Sequence, residues 1–417
     1  MQKLKIAILS YRSAPFGGGQ GIYIRDISRA LSIMGHRIDV ISGPPYPNLV
    51  DEINLIKLPG LDLFQTFSFK ERLRIFYNIK NKKLVDFYEF ISVLFGGFPE
   101  MRTFGYRANK FLKLSSHYDI IIDNQSLSYG ILEIQKRFPL IEIIHHPISK
   151  DYKFEYETAS SFLYKLSRHR WYSFLKMQKK VAKNINNIVT PSKNSKKDIV
   201  VDFGVNQKNI NVINNGLDIN IFIPYKNIKR DPFRLITTAS ADVALKGLDY
   251  SLRSLASLSK NFPEISLLVI GQLKKNGHTS RLIKELGIED RVLFKTALTK
   301  EEIAKEYASS SVAIVSSLYE GFGYPVIEAM SCEIPLIATN TSSIPELVGD
   351  FATLIPPMNE NELSEAIKKI LNNYEKYKKI AESGRHHIIE NFNWLKITQE
   401  YEDMIYKTIQ DFNNANL

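Results

Sequence analysis

Two carboxylates eight residues apart, Glu320 and Glu328, bracket a glycine-rich turn in Tyr319-Glu320-Gly321-Phe322-Gly323-Tyr324-Pro325-Val326-Ile327-Glu328. Carboxylates accept hydrogen bonds from sugar hydroxyls and repel phosphate, so each suits a sugar. Gly321 and Gly323 let backbone N–H groups approach a ligand closely. Pro325 fits the first turn of a helix. A helix N-terminus offers unpaired donors and a positive dipole end, which suits a phosphate. The competing reading makes Glu320 a helix cap and Glu328 an exposed helix residue.

The elements that must position these groups are legible in the apolar pattern. SVAIVSS (311–317) reads as a buried strand, which places Glu320 at a carboxyl edge, where open α/β sheets take ligands. Residues 4–9 and 37–42 read as strands flanking a helix over 22–34, whose apolar positions Ile22, Ile24, Ile27, Ala30, Leu31 and Met34 fall at helical spacing. Further strands are expected at 118–124, 140–146, 184–192 and 210–216, then at 233–240, 265–271, 291–297, 311–317, 334–340 and 351–357. Strands alternating with helices predict parallel α/β sheets. Turn residues and prolines near 215–231 mark a boundary. The expected organisation is a Rossmann-like domain over 1–220, a second over 221–393, and a final helix from 394 to 417. The two domains are expected to face each other across a cleft.

Composition narrows the class. The chain has 417 residues with ordinary apolar and charged content, which excludes a mostly disordered chain and a disulfide-rich miniprotein. Its one cysteine, Cys332, forms no internal disulfide and no cysteine-cluster metal site, and fits a reducing, cytoplasmic compartment. The apolar start of the chain is too short for a secretory leader, and no apolar run is long enough to span a membrane. Lys and Arg exceed Asp and Glu by 32 to 19 over residues 1–220, whereas residues 221–417 have 23 against 25. Residues 161–197 hold ten basic and no acidic residues with aromatics interleaved, and residues 70–113 hold ten basic and four acidic residues, again with aromatics among them. Such segments suit an anionic membrane face or an anionic acceptor, or they are a solvated basic surface. No nucleic-acid motif accompanies the charge.

Three smaller features complete the candidates. Lys246, in LKGLDYSL, stands before a helix, where it is either a phosphate partner or a surface lysine. His145 and His146 end a strand before Pro147; adjacent residues leaving a strand point to opposite sides, so a zinc site is not expected. The glycine loop Gly17–Gly21 is not G-x-G-x-x-G and lacks the acid of a dinucleotide site.

Taken in order, these motifs resemble the retaining GT-B glycosyltransferases of family 4, the glycogen-synthase-like group. The acidic pair resembles its E-x7-E signature, GGGQG its N-terminal glycine loop, MGHRIDVIS its "GH-V" strand, and LKGLDYSL its donor-phosphate motif. IVTPSKNSKKDI with VINNGLDINIFIP, and SSIPELVGD, resemble further segments in the family's order. The resemblance implies two Rossmann-like domains, a final helix over 394–417 packing back on the first of them, and transfer of a sugar from a UDP- or GDP-sugar with retention, without a metal or other cofactor. It implies that Glu320 contacts the donor sugar, Glu328 the donor ribose, and Lys246 the diphosphate. It places Gly271 and the amides of Gly321, Phe322, Gly323 and Tyr324 near the donor. Gly19 would approach donor phosphate or acceptor, and His145 would line the site near the reacting carbon. The acceptor would be lipid-linked or a glycan, at the inner membrane face. One departure stands out: Ser240-Ala241-Asp242 replaces the arginine usual before the Lys-Gly pair, leaving Lys274, Lys275 or the first domain to supply charge. A non-catalytic module of the same fold, or a GT-B epimerase or phosphorylase, remains an alternative.

Overall fold

The computed structural model describes residues 2–14, 19–64, 66, 68–115, 117–159 and 161–415. One parallel sheet contains β1 (Lys5–Ser10), β2 (Arg37–Ser42), β3 (Asn54–Lys57), β4 (Ile120–Asn124), β5 (Leu140–Ile143), β6 (Ile188–Thr190) and β7 (Ile210–Val212). A second contains β8 (Arg234–Thr238), β9 (Ser266–Ile270), β10 (Val292–Lys295), β11 (Val312–Val315), β12 (Leu336–Thr339) and β13 (Thr353–Ile355). Every expected apolar run contains a strand. β3 is an addition: four residues on an edge, none fully buried, carry too little apolar signal to be read from sequence.

Two compact units hold these sheets. The first comprises Met1–Pro191, Ser195–Ile213 and Thr398–Leu417, and the second Ser192–Asn194 with Asn214–Ile397. Residues 214–220, grouped by sequence with the first domain, belong to the second unit; Leu217 packs in its core with Phe222 and Phe392. The final helix, Trp394–Ala415, contributes Tyr401 to the first unit, where its hydroxyl lies 2.7 Å from that of Tyr23.

The sheet orders locate the functional edges. The first sheet runs β3-β2-β1-β4-β5-β6-β7 and the second β10-β9-β8-β11-β12-β13. In each, the order reverses once, between β1 and β4 and between β8 and β11. The crevice outside the carboxyl ends at such a reversal is where doubly wound sheets bind ligands. Alternation along the strands of the second sheet divides its core in two. Ile236, Leu268, Ala313 and Leu336 pack on one face, while Leu235, Leu267, Val312 and Ile337 pack on the other. Burial on both faces explains why these strands read as continuous apolar runs.

Candidate active site

The loops after β8 and β11 meet at the reversal of the second sheet, and they carry Lys246 and Glu320. Lys246 Nζ lies 2.6 Å from Glu320 Oε1, and the Ser317 hydroxyl donates to the same oxygen at 2.7 Å. Glu320 is buried, with Lys246 about one-third accessible at its side chain. The two loops are tied at the backbone: Leu318 N–H donates to Leu245 O at 2.7 Å, and the Ser316 hydroxyl donates to Gly247 O at 2.9 Å. Gly247 takes φ +62 against the end of β11 and ends the short turn Ala244–Lys246.

A serine cluster fixes the glycine-rich turn. Glu320 N–H donates to the Ser342 hydroxyl at 2.8 Å, and Ser343 donates to the carbonyls of Glu320 and Phe322. The Ser192 hydroxyl donates to Gly321 O at 2.7 Å. Gly323, at φ +118, caps the helix Tyr324–Ser331, with Pro325 in its first turn as expected. Glu328 sits on that helix, partly exposed, and Tyr307 OH lies 3.5 Å from its Oε2. Burial, then the Glu328 charge, pushes the Tyr307 phenol well above its ordinary value, so the phenol stays a neutral donor. Glu320 and Glu328 therefore lie on either side of one helix start. Gly271 lies just past the end of β9, packed against the Ala239 carbonyl, while Lys274 and Lys275 are exposed beyond it.

Asp242 does not face the Lys246 turn as a loose charge. Its Oδ1 accepts from Thr279 N–H at 2.8 Å and its own N–H donates to the Thr279 hydroxyl, so it caps the helix His278–Leu286. A carboxylate at a helix N-terminus is stabilised by the dipole. The acid that replaces the usual arginine thus has a structural partner.

In the first unit the reversal point collects a second group of residues. Asn124 Oδ1 lies 2.8 Å from His145 Nε2, and Gln125 Oε1 accepts from His145 N–H at 2.8 Å. Tyr23 stands edge-on to the imidazole, with ring centroids 4.7 Å apart. His146 pairs instead with Asp151 at 3.0 Å, so the two histidines diverge as expected. Neither Asn124 nor Gln125 was singled out from sequence; the run DNQS carries only turn character. Gly19, exposed at the start of its helix, has no described residue within 4 Å of where a Cβ would stand, while Gly17 and Gly18 lie outside the described residues. Among the described residues no group of three or more His, Cys, Asp or Glu side chains is arranged to hold a metal ion.

Desolvation, and then the neighbouring His146, hold the His145 imidazole far below the usual value of 6.5, at about 3. The ring is therefore neutral at neutral pH. The unfolded chain takes up this proton near 6.5, so this group favours the fold fully above that pH and progressively less as pH falls towards 3. In a titration followed by imidazole NMR, His145 should hold constant shifts from about pH 5 to 8. A His145 midpoint near neutrality would contradict the desolvated setting.

The comparisons with known proteins bear on the whole chain. Residues 17–221 match the family described as Glycosyltransferase Family 4, and residues 221–387 match Glycosyl transferases group 1. An MMP alpha-(1->4)-mannosyltransferase of Mycolicibacterium hassiacum is 37% identical over 412 residues, covering 97% of this chain and 98% of that protein. A probable sucrose-phosphate synthase of Thermosipho melanesiensis is 24% identical over 94% of this chain and 92% of its own. Among solved structures, a sucrose-phosphate synthase from Thermosynechococcus elongatus has a TM-score of 0.76 at 20% identity, covering 98% of this chain and all of that one. Anabaena Alr3699/HepE in complex with UDP and glucose has a TM-score of 0.71 at 18% identity, covering 97% of this chain and all of its own. These structures establish the GT-B fold. With family matches on both halves and a relative of that identity along nearly its full length, the chain belongs to the family 4 glycosyltransferases, and it is an enzyme of that class.

Proposed function

We propose that the protein is a retaining mannosyltransferase that moves a mannosyl group from a nucleotide sugar to a glycan acceptor without a bound metal. The 37% identity to a mannosyltransferase over 97% of the chain carries the choice of sugar. The Lys246–Glu320 pair beside the helix start supports the donor chemistry. On this reading the diphosphate takes Lys246 and the N–H groups at Phe322–Tyr324, Glu320 accepts from the sugar hydroxyls, and Glu328 accepts from the ribose. Lys246 must exchange Glu320 for phosphate, which frees the carboxylate for the sugar in the same step. The C1–O bond to the diphosphate breaks while the acceptor oxygen bonds to C1 on the same face, and the acceptor proton passes to the leaving phosphate oxygen. Charge growing on that oxygen meets a fixed cation and a helix dipole. The neutral His145 and its Asn124 and Gln125 partners serve the acceptor side, in the first unit.

Incubation with GDP-mannose, UDP-glucose and UDP-N-acetylglucosamine, each with a mannoside acceptor, tests this. The expected product is an α-mannoside formed from GDP-mannose, at a rate unchanged by a chelator. A β-product, loss of activity with the chelator, or binding of nucleotide without transfer or hydrolysis would each count against it.

We extend the proposal to an anionic membrane face, as the site of a lipid-linked acceptor. The helices Phe69–Asn78 and Leu84–Leu94 leave Phe69, Leu73, Tyr77, Leu84 and Ile91 exposed, beside exposed Lys70, Arg74, Lys80 and Lys83. Phe76 and Phe90, counted with them from sequence, instead stack on each other 4.3 Å apart. No helix among the described residues is long and apolar enough to cross a membrane. Sedimentation with phosphatidylglycerol vesicles should exceed that with phosphatidylcholine and fall in a Tyr77→Ser, Leu84→Ser variant; equal sedimentation would remove the membrane from the proposal.

A further inference from the structure

Two acids lie side by side in the first sheet with no part in the donor chemistry. Asp123 on β4 and Glu142 on β5 are register partners, so their side chains leave the sheet on the same face. Both are fully buried. Asp123 Oδ2 accepts from Ser126 N–H at 2.9 Å, the Ser126 hydroxyl at 2.7 Å and Leu127 N–H at 3.4 Å. Asp123 Oδ1 and both Glu142 oxygens are buried without a partner among the described residues. Two charged carboxylates do not persist in such surroundings; a shared site keeps a proton. With that proton on Glu142 and donated to Asp123 Oδ1, Asp123 keeps its charge for the three donors at Oδ2.

The pair underlies the turn that holds His145. Gln125 and Leu127, neither of them glycine, take φ 57 and 45 within that turn. Such conformations persist where the surroundings over-determine them. Here Asp123 grips Ser126 and Leu127 from below. Gln125 then clasps the strand-end backbone from both sides, accepting from His145 N–H and donating to His146 O, each at 2.8 Å. Asn124 meets the His145 ring. Glu142 stands three residues before His145 on the other strand.

We propose that Asp123 and Glu142 form a carboxyl–carboxylate pair sharing one proton, which positions Asn124, Gln125 and through them His145 for sugar transfer. It rests on the reading of His145 as an acceptor-side residue. Both acids are positioning residues, remote from the reacting atoms. Burial pushes Asp123 up to about 6, and burial with the Asp123 charge beside it raises Glu142 well above the usual carboxylate range, in keeping with a retained proton.

Glu142→Gln keeps the size and supplies an amide N–H to Asp123; Glu142→Leu removes the donor. At neutral pH the infrared difference between wild type and Glu142→Gln should show a protonated carboxyl C=O band lost in the variant. Glu142→Gln should keep kcat within about threefold. Glu142→Leu should lower kcat by about tenfold or more at unchanged donor KM, and shift the His145 imidazole resonance. Absence of the carboxyl band, or Glu142→Gln as damaging as Glu142→Leu, overturns the pair. The band needs only wild type and the isosteric variant, so a poorly folding Glu142→Leu leaves the test intact. A carboxyl band and a His145 shift with unchanged kcat would instead overturn the role of His145 in transfer.

Discussion

Glu320→Gln should lower kcat by about 10²–10³-fold while nucleoside diphosphate binds as well as or better than in wild type. The split follows from the 2.6 Å pair: Glu320 is the partner from which the diphosphate must win Lys246. With the carboxylate neutralised, the lysine has no charged competitor, so phosphate affinity is retained. The sugar hydroxyls lose their strongest acceptor, and transfer falls. Lys246→Met should behave differently, weakening nucleotide binding and slowing transfer together, because the cation acts on the phosphate in both ground and transition states. Calorimetry with GDP and steady-state rates for both variants separate the two patterns. Equal losses of binding and rate in Glu320→Gln would mean that the pair does not compete with phosphate.

Gly247→Ala should be among the most damaging small substitutions in the second unit. A Cβ there would lie 2.0 Å from the Ser316 carbonyl oxygen, on a backbone held at φ +62. The left-handed conformation costs an L-residue about 1–2 kcal/mol, and overpacking adds about 1–3. The obstacle is backbone at the end of β11, with no flexible side chain to yield, so relief must move either the Lys246 turn or the strand end that leads to Glu320. Chemical denaturation should show a loss of about 2–5 kcal/mol, with activity reduced even where the fold survives. Wild-type stability would mean that the two loops are not rigidly joined.

Much of this was legible because strands buried on both faces read as short continuous apolar runs, while the helices between them keep their 3.6-residue apolar period. VAIV and PLIAT announce strands, and Gly-Tyr-Pro between them announces a helix start. Glu320 could be named because its place past a strand end follows from that pattern, and Lys246 because LKGLDYSL resembles the family's donor-phosphate motif. What stayed hidden depends on contacts between distant segments. Asn124 and Gln125 meet His145 only through strand pairing of β4 with β5. Asp242, part of the stretch that replaces the family's arginine, caps a helix that starts 36 residues later. Glu142 reads as an interruption in LIEII, and its neighbour Asp123 is found only from register. Such pairs leave no local spacing to detect.

Soaking crystals with GDP or UDP tests the central claim most directly. The diphosphate should lie at the start of the helix Tyr324–Ser331 within reach of Lys246, with Glu328 on the ribose hydroxyls and the Lys246–Glu320 contact opened. Nucleotide bound away from that helix start, or Lys246 still joined to Glu320 with the nucleotide in place, would contradict it.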